Sequence, residues 1–221
     1  DSGTDRIPSA DPDSTTATGG TTGTNTNAGT TTGTTGNTVD AKTATITNFN
    51  AQWAVDAKGR ATATIRVDMN LPSTVTQLDF PIGNGVNAQL SGYSDVETVD
   101  ITDGKALRLV ADPGFTGVQT FTLSYAVENA IKVTETGQKL ELDLMAPGWA
   151  WPMEQASFTL TMPAVFTGEP TYVGGYYADL VADYMTLEQT DTTITGTYKE
   201  PLRDHESLKI SLDLPAEYIT I

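Results

Sequence analysis

Hydrophobic and polar residues alternate one by one along five segments of the chain. The segments are residues 61–69, 121–127, 140–144, 158–162 and 208–214. In residues 61–69, Ala, Ile, Val and Met take every second position, and Thr, Arg and Asp lie between them. A period of two places neighbouring side chains on opposite faces of a strand. Each segment therefore predicts a β-strand with one buried and one solvated face, which is typical of antiparallel sheets.

Turn signals separate these segments. Asp103-Gly104 lies between two alternating runs and predicts a two-residue hairpin turn, and Ala57-Lys58-Gly59 predicts another turn. Parallel strands would need helical crossovers, and no segment is suited to one. We therefore predict an all-β fold of two consecutive antiparallel, immunoglobulin-like β-sandwich domains, residues 40–130 and 131–221. A single intertwined sandwich is the alternative.

The stretch of residues 176–187 fits two kinds of secondary structure. Tyr176, Leu180, Tyr184 and Leu187 follow the spacing of a helical face, whereas the surrounding sequence favours strands. The sequence leaves a short helix and a strand as alternatives here.

Residues 1–39 have a composition that cannot build a core. Residues 15–38 hold 13 Thr and 6 Gly among 24 positions, with no charge and no aliphatic side chain larger than Ala. Such a segment buries too little apolar surface to offset about 1–2 kcal/mol of ordering entropy per residue. We predict that residues 1–39 form a disordered, low-complexity linker with an acidic start.

Composition excludes several classes of function. The chain has no Cys, one His, and a net charge of −16 from 28 acidic and 12 basic residues. The missing Cys exclude disulfides and Cys-ligated metals, and the single His excludes multi-His metal sites. The acidity argues against nucleic acid and against adsorption on anionic lipid. No apolar run reaches the roughly 20 residues that span a bilayer, and Asp1 does not open a signal peptide.

Residues of the second half resemble a known bacterial family. The resemblance rests on Leu140-x-Leu142-x-Leu144, on residues 148–153 (Gly-Trp-Ala-Trp-Pro-Met) and on the strand that ends at Met162-Pro163. It continues with Gly174-Gly175 and the closing strand before Pro215. Residues 125–218 are similar to the extracytoplasmic region of the YciQ-like predicted membrane proteins, a domain of unknown function. The resemblance implies a β-rich ectodomain joined to a membrane anchor outside this chain, and it supplies no catalytic residue.

An aromatic group within the family-like segment is the candidate binding site. Trp149 and Trp151 are two residues apart, so on an extended chain they share one face. Aromatic side chains stack on sugars and anchor protein interfaces. The alternative is that the Trp segment fills the core. The candidate binding residues are Trp149, Trp151, Tyr172, Tyr176, Tyr177 and Tyr184.

Other polar groups give weaker signals. Two acidic groups lack the spacing of a calcium loop and fit solvated strand faces or turns. They are Asp95, Glu97, Asp100 and Asp103, and Asp179, Asp183, Glu188 and Asp191. Residues 204–207 (Asp-His-Glu-Ser) favour a polar loop over a catalytic triad, because neighbours on a strand point to opposite faces. We predict no enzyme activity, no cofactor and no metal site.

The leading hypothesis is a non-enzymatic ectodomain of a membrane-anchored bacterial surface protein. It would serve in protein recognition or assembly outside the cell. The alternative is a carbohydrate- or cell-wall-binding module that uses the same aromatic residues. The expected partner is an unidentified protein or glycan at the cell surface, with the membrane reached only through an anchor outside the chain.

Overall fold

The structure is a computed structural model that describes residues 44–220, nearly all of which form or connect β-strands. Residues 1–39, predicted to be a disordered linker, lie outside the described residues. The strands in residues 44–220 are β1 Thr45–Val55, β2 Ala61–Gly83, β3 Val86–Leu90, β4 Val96–Ile101, β5 Gly104–Val127, β6 Ile131–Val133, β7 Gln138–Met145, β8 Ala156–Thr161, β9 Thr171–Gly174, β10 Met185–Gln189, β11 Thr193–Tyr198 and β12 Leu208–Leu214. A 3₁₀ helix, Val181–Tyr184, precedes β10.

Two sheets contain these strands. The larger sheet has the order β10-β11-β8-β1-β2-β5-β3, with β4 also paired to β5. The smaller sheet has the order β6-β7-β12-β9. Apolar side chains from both sheets pack into one core, whose largest fully buried members include Trp149, Phe49, Phe80 and Phe121.

The predicted alternation of buried and exposed residues is present in the strands. In β2, the odd-numbered residues from Ala61 to Met69 are buried, and Thr62, Thr64 and Arg66 between them are exposed. The same alternation occurs in β7, β8 and β12. The apolar side chains lie in the shared core because that removes them from water, which stabilises the fold.

Both predicted turns are present, one of them shifted by a residue. Gly59 has a φ of 77° in the turn between β1 and β2, where Val55 pairs with Ala61. The β4–β5 hairpin pairs Ile101 with Gly104, so Thr102 and Asp103 form its turn. Gly104 itself has a φ of 134° and begins β5.

The prediction of purely antiparallel sheets is wrong at one pair of strands. β1 and β8 run parallel, with Phe49 opposite Ala156 and Ala54 opposite Thr161. A parallel pair needs a long connection between its strands, and usually a helix provides it. Here the chain returns through six further strands, β2 to β7, so a crossover formed without any helix.

The two consecutive immunoglobulin-like sandwiches are not confirmed. The larger sheet contains β1 to β5 from residues 40–130 and β8, β10 and β11 from residues 131–221. The parallel β1–β8 pair joins the two halves inside that sheet. Strands of both predicted halves therefore share one sheet.

Residues 176–187 combine the two alternatives that the sequence left open. The chain makes a turn at residues 175–180, forms the 3₁₀ helix Val181–Tyr184 and enters β10 at Met185. Val181 and Met185 are buried, whereas Leu180 and Leu187 are exposed. The helical spacing therefore extends over a single turn only.

Candidate binding surface

The structure places three of the six candidate residues in the core. Trp149 has no exposed surface, and its ring makes edge-to-face contacts with Phe49, at 5.2 Å between ring centroids, and with Phe80, at 6.4 Å. Trp151 and Tyr172 are also buried. A partner cannot reach these side chains without rearranging the core, so the candidate surface excludes them. The core-filling alternative describes their positions.

The other three candidates lie together, with Tyr176 and Tyr184 exposed and Tyr177 half-buried against the core. Tyr177 and Tyr184 stack with 4.1 Å between ring centroids and 24° between ring planes. Tyr176 meets Tyr177 edge to face at 5.3 Å. The Arg203 guanidinium lies 4.0 Å from the centroid of the Tyr176 ring, within the range of a cation–π contact. We call Tyr176, Tyr177, Tyr184 and Arg203 the tyrosine patch.

Much of the tyrosine patch is open to solvent. Tyr176 is 59% exposed and Tyr184 is 38% exposed. Leu180, in the same loop, is 64% exposed, which is high for a leucine. Single exposed apolar residues are ordinary, whereas a cluster of aromatic and aliphatic side chains can mark an interaction site.

Hydrogen bonds within the β9–β10 loop hold the patch in place. Gly174 and Ala178 exchange backbone hydrogen bonds of 2.9 and 3.0 Å, and the Tyr176 amide donates to Glu206 Oε2 at 3.0 Å. Glu206 is buried, which is unusual for a carboxylate unless it has hydrogen-bond partners. It therefore ties the patch loop to the chain segment that precedes β12.

A further tyrosine lies next to the patch. Tyr198 at the end of β11 is buried, and burial is the main reason that its pKa lies above the usual range. The nearby Glu206 and Tyr177 raise the pKa of Tyr198 further. Tyr198 therefore keeps its phenolic proton at every physiological pH.

The segment of residues 204–207 forms a loop before β12, in agreement with the sequence prediction. Asp204 Oδ2 lies 3.3 Å from His205 Nδ1, and both side chains are exposed. His205 has a φ of 62°, and its amide donates to the Trp149 carbonyl at 2.7 Å. The backbone of this loop therefore packs against the buried Trp segment, while the side chains of Asp204 and His205 face solvent.

The two acidic groups lie on strands and turns at the surface. Asp95, Glu97, Asp100 and Asp103 are exposed in and around β4, and so are Asp179, Asp183, Glu188 and Asp191 around β10. Across residues 44–220, no three His, Cys, Asp or Glu side chains are grouped closely enough to hold a metal ion.

Arg203 is a residue of the patch that the sequence did not predict. Arg203 belongs to the β11–β12 loop, which the fold brings beside the β9–β10 loop. No local pattern in the sequence signals this contact, because an arginine in a polar loop is ordinary. The candidate residues are chosen for their aromatic side chains, and residue type does not distinguish the exposed Tyr176 and Tyr184 from the buried Trp149.

The comparison of sequences identifies the family. The family described as "Predicted membrane protein (DUF2207) N-terminal domain" matches residues 45–212. The chain belongs to this family. The resemblance to the YciQ-like proteins of unknown function is thereby confirmed, and the match includes the first half of the folded region as well as the second. In residues 44–220, no helix combines the length and apolar character needed to cross a bilayer.

Several solved structures are similar in outline to parts of this chain. Native leukotriene A4 hydrolase from Saccharomyces cerevisiae gives a TM-score of 0.48 at 6% identity, covering 76% of this chain and 29% of that one. The M1 zinc metallopeptidase from Deinococcus radiodurans gives a TM-score of 0.41 at 10% identity, covering 76% of this chain and 42% of that one. A putative protease from Parabacteroides distasonis gives a TM-score of 0.42 at 10% identity, covering 78% of this chain and 40% of that one. No curated protein matches the chain.

These similarities correct the prediction that the protein is not an enzyme. The solved structures just named are peptidases or hydrolases, so a non-enzymatic classification no longer stands. The chain spans less than half the length of each of them. Such low identities and TM-scores below 0.5 carry no activity, substrate or metal over to this chain.

Proposed function

We propose that this domain recognises a partner protein on the outer side of the membrane, through the tyrosine patch. The observation that carries the proposal is the pair of exposed rings Tyr176 and Tyr184. Both contact the half-buried ring of Tyr177, and Arg203 lies over Tyr176. Membership of a predicted membrane protein family supports an anchor elsewhere in the full-length protein. The assignment to the outer side rests on the resemblance to an extracytoplasmic region.

The composition of the patch supports a protein partner. Tyrosine and arginine are enriched among the residues that carry most of the binding energy at protein interfaces. A tyrosine offers a large apolar area and a hydroxyl, and it loses little conformational entropy on binding. Leu180 adds an exposed aliphatic side chain in the same loop.

The arrangement of the rings favours a protein over a sugar. A sugar ring stacks on an open aromatic face. Tyr177 and Tyr184 cover one face of each other, and Arg203 lies over one face of Tyr176. These contacts leave fewer free ring faces than three separate tyrosines would, and the Arg203 guanidinium adds hydrogen-bond donors that suit protein side chains.

The charges around the patch indicate which side chains the partner presents. Asp179 and Asp183 in the patch loop are exposed, as is Asp204 beside Arg203. Carboxylates around an apolar centre attract basic residues and speed the encounter of the two proteins. We therefore expect lysine or arginine residues around the contact surface of the partner.

The loop is organised before it binds. Glu206 and the Gly174–Ala178 hydrogen bonds hold the patch loop in the unbound domain. An ordered surface loses less conformational entropy on association, so more of the contact energy remains as affinity.

Site-specific photo-crosslinking in cells that produce the full-length protein tests the proposal. A photoreactive residue at Leu180 should crosslink to one dominant protein. The matched control is the same residue at Val133, which lies on β6 of the smaller sheet and is 68% exposed, against 64% for Leu180. Crosslinks of the same pattern and strength at both positions would contradict a specific contact at the patch.

Affinity measurements with the captured partner complete the test. Tyr176→Ala and Arg203→Ala should each weaken binding by about tenfold or more, as interface hot spots do, with an unchanged circular dichroism spectrum. Lys132→Ala, on the smaller sheet, should leave the affinity unchanged. Wild-type affinity of both patch variants would overturn the protein-recognition role. Capture of a glycan instead of a protein would support the carbohydrate-binding alternative.

A further inference from the structure

A second feature of the domain is a pocket that shares no residue with the tyrosine patch. Its volume is about 240 Å³, far above the roughly 10–15 Å³ that a single water molecule needs. The wall includes Ile82 and Val86 around the β2–β3 corner, Tyr125 near the end of β5, and residues of β6, β7 and β12. The pocket therefore lies where the end of the larger sheet meets the smaller sheet.

Charges of both signs line the pocket. Its wall includes Lys132, Lys209, Glu141, Asp143 and Glu128, the last of which is paired with Arg60 outside the wall at 2.8 Å. Lys209 and Asp143 face each other across β12 and β7, with 3.9 Å between Nζ and Oδ1. Lys132 Nζ lies 3.8 Å from Glu141 Oε2. Both distances exceed the 2.7–2.9 Å of a charge-assisted hydrogen bond, so neither pair forms a direct hydrogen bond.

Two groups in the wall, Tyr125 and Asp143, have polar atoms that are incompletely satisfied. Tyr125 is 4% exposed, and its Oη has no hydrogen-bond partner among the described residues. A buried hydroxyl without a partner costs stability, so such a group needs an explanation. Burial also raises the pKa of Asp143, although Lys209 lowers it in part, which indicates a carboxylate with too little solvation or charge compensation.

The pairing of charges identifies the class of ligand. We propose that the pocket binds a small zwitterion such as a free amino acid, with its ammonium group at Asp143 and Glu141 and its carboxylate at Lys132 and Lys209. An anion alone would meet the Glu141 and Asp143 carboxylates, and a cation alone would meet two ammonium groups. A zwitterion satisfies both signs, and the apolar wall at Ile82 and Val86 accommodates its side chain.

Isothermal titration calorimetry with matched small molecules tests the charge requirement. The probes are L-alanine and L-leucine as zwitterions, L-alaninamide as a cation without carboxylate, and propionate as an anion without ammonium. Each is added up to about 10 mM, which detects a Kd in the millimolar range. We expect a zwitterion to bind at least about tenfold more tightly than either singly charged probe, because each loses one charge-assisted contact.

Variants of the wall residues test whether the zwitterion binds in this pocket. Asp143→Asn and Lys209→Gln should each weaken zwitterion binding by about tenfold or more. Asp213 is the matched control, since it also faces a lysine across β12 and β7 but lies outside the pocket wall. Asp213→Asn should bind as the wild type does. Tyr125→Phe should keep the fold and lose part of the affinity, because only the hydroxyl is removed.

Three results would overturn the proposal. One is the absence of binding by either zwitterion to the folded wild-type chain. Another is equal affinity for alaninamide or propionate, which would make the pocket a simple cation or anion site. The third is wild-type affinity in Asp143→Asn. The probe series needs only the wild-type chain, so the charge requirement is tested even if a variant fails to fold.

Discussion

Trp149 and Tyr176 come from the same aromatic-rich stretch of sequence but have opposite surroundings. Trp149 is enclosed by Phe49 and Phe80, whereas Tyr176 is 59% exposed beneath Arg203. The type of residue cannot distinguish them, because tryptophan and tyrosine serve equally well in cores and at interfaces. The distinction comes from neighbours that are far away in sequence.

Replacing Trp149 should therefore damage stability and not a binding surface. Trp149→Ala would leave a large cavity beside Phe49 and Phe80, which typically costs about 3–5 kcal/mol of the free energy of unfolding. Tyr176→Ala is the control and should change that free energy by about 0.5 kcal/mol at most, as exposed substitutions usually do. Urea unfolding followed by circular dichroism measures both. A wild-type midpoint for Trp149→Ala would show that its ring does not pack in the core.

Asp143 gives a prediction for the dependence of stability on pH. Burial raises its pKa in the folded state, while Lys209 opposes the effect and Tyr125 and Glu141 lie in the same pocket wall. A carboxyl with a raised folded-state pKa stabilises the fold below its unfolded pKa, and this contribution is lost as pH rises through the folded-state pKa. The ionised Asp143 therefore destabilises the fold at neutral pH.

Asp143→Asn should remove that penalty. We expect a higher melting temperature than wild type at pH 7, and a difference that shrinks towards zero near pH 3, where Asp143 is protonated in both states. Asp213→Asn, on the neighbouring strand, should show no such trend. A lower melting temperature of Asp143→Asn at pH 7 would mean that its ion pair with Lys209 outweighs the cost of burial.

At the level of the strands, local patterns predict which face is buried but not which strands are neighbours. The alternation in residues 61–69 and 208–214 identifies the inward faces of β2 and β12. The parallel pairing of Phe49 with Ala156 has no such signature, because residues so far apart meet only through the topology of the whole sheet. For the same reason the aromatic residues of the sequence include both core and surface residues, and Arg203 and the pocket are recognised only from the fold.

The contact between β11 and β8 depends on a glycine. Gly196 is buried in β11 opposite Phe158 of β8, and a Cβ built at Gly196 would overlap the Phe158 ring. Glycine weakens a strand on its own, so its presence in an inner strand indicates a close approach of another group. The ring of Phe158 covers the position that a side chain would occupy.

Gly196→Val should therefore destabilise the domain, although valine favours strands more than glycine does. Displacing the Phe158 ring from a packed core should cost about 1–3 kcal/mol. Thr197→Val is the matched control, since Thr197 is the next residue of β11 and is exposed. The free energies of unfolding of both variants test this. If the Gly196→Val protein were as stable as the Thr197→Val protein, the core would have room for the extra side chain.

For the whole molecule, the topology joins the two halves of the folded chain. β1 lies between β2 from the first half and β8 from the second half in the larger sheet, and side chains of both halves share one core. We therefore expect residues 40–130 produced alone to lose the β8 partner of β1 and to expose part of that core. Loss of folding in that fragment would show that the shared core is the unit of stability, whereas a folded fragment would support two separate domains.

The same molecule carries a large excess of negative charge, with 28 acidic against 12 basic residues. Like charges on one surface repel each other and destabilise the compact state. Salt shortens the range of this repulsion from about 30 Å at 0.01 M to about 3 Å at 1 M. We therefore expect the melting temperature to rise when NaCl is increased from about 0.01 M to about 1 M.

A variant with fewer charges tests whether repulsion causes that rise. Asp95→Asn, Asp100→Asn and Glu188→Gln together remove three exposed carboxylates and should reduce the salt-dependent increase. Scanning calorimetry of both proteins at each salt concentration measures the difference. The ion pairs Arg60–Glu128 and Arg108–Asp79 work in the opposite direction, because salt weakens attraction as well. A melting temperature that falls with salt would show that these attractions outweigh the repulsion among the excess carboxylates.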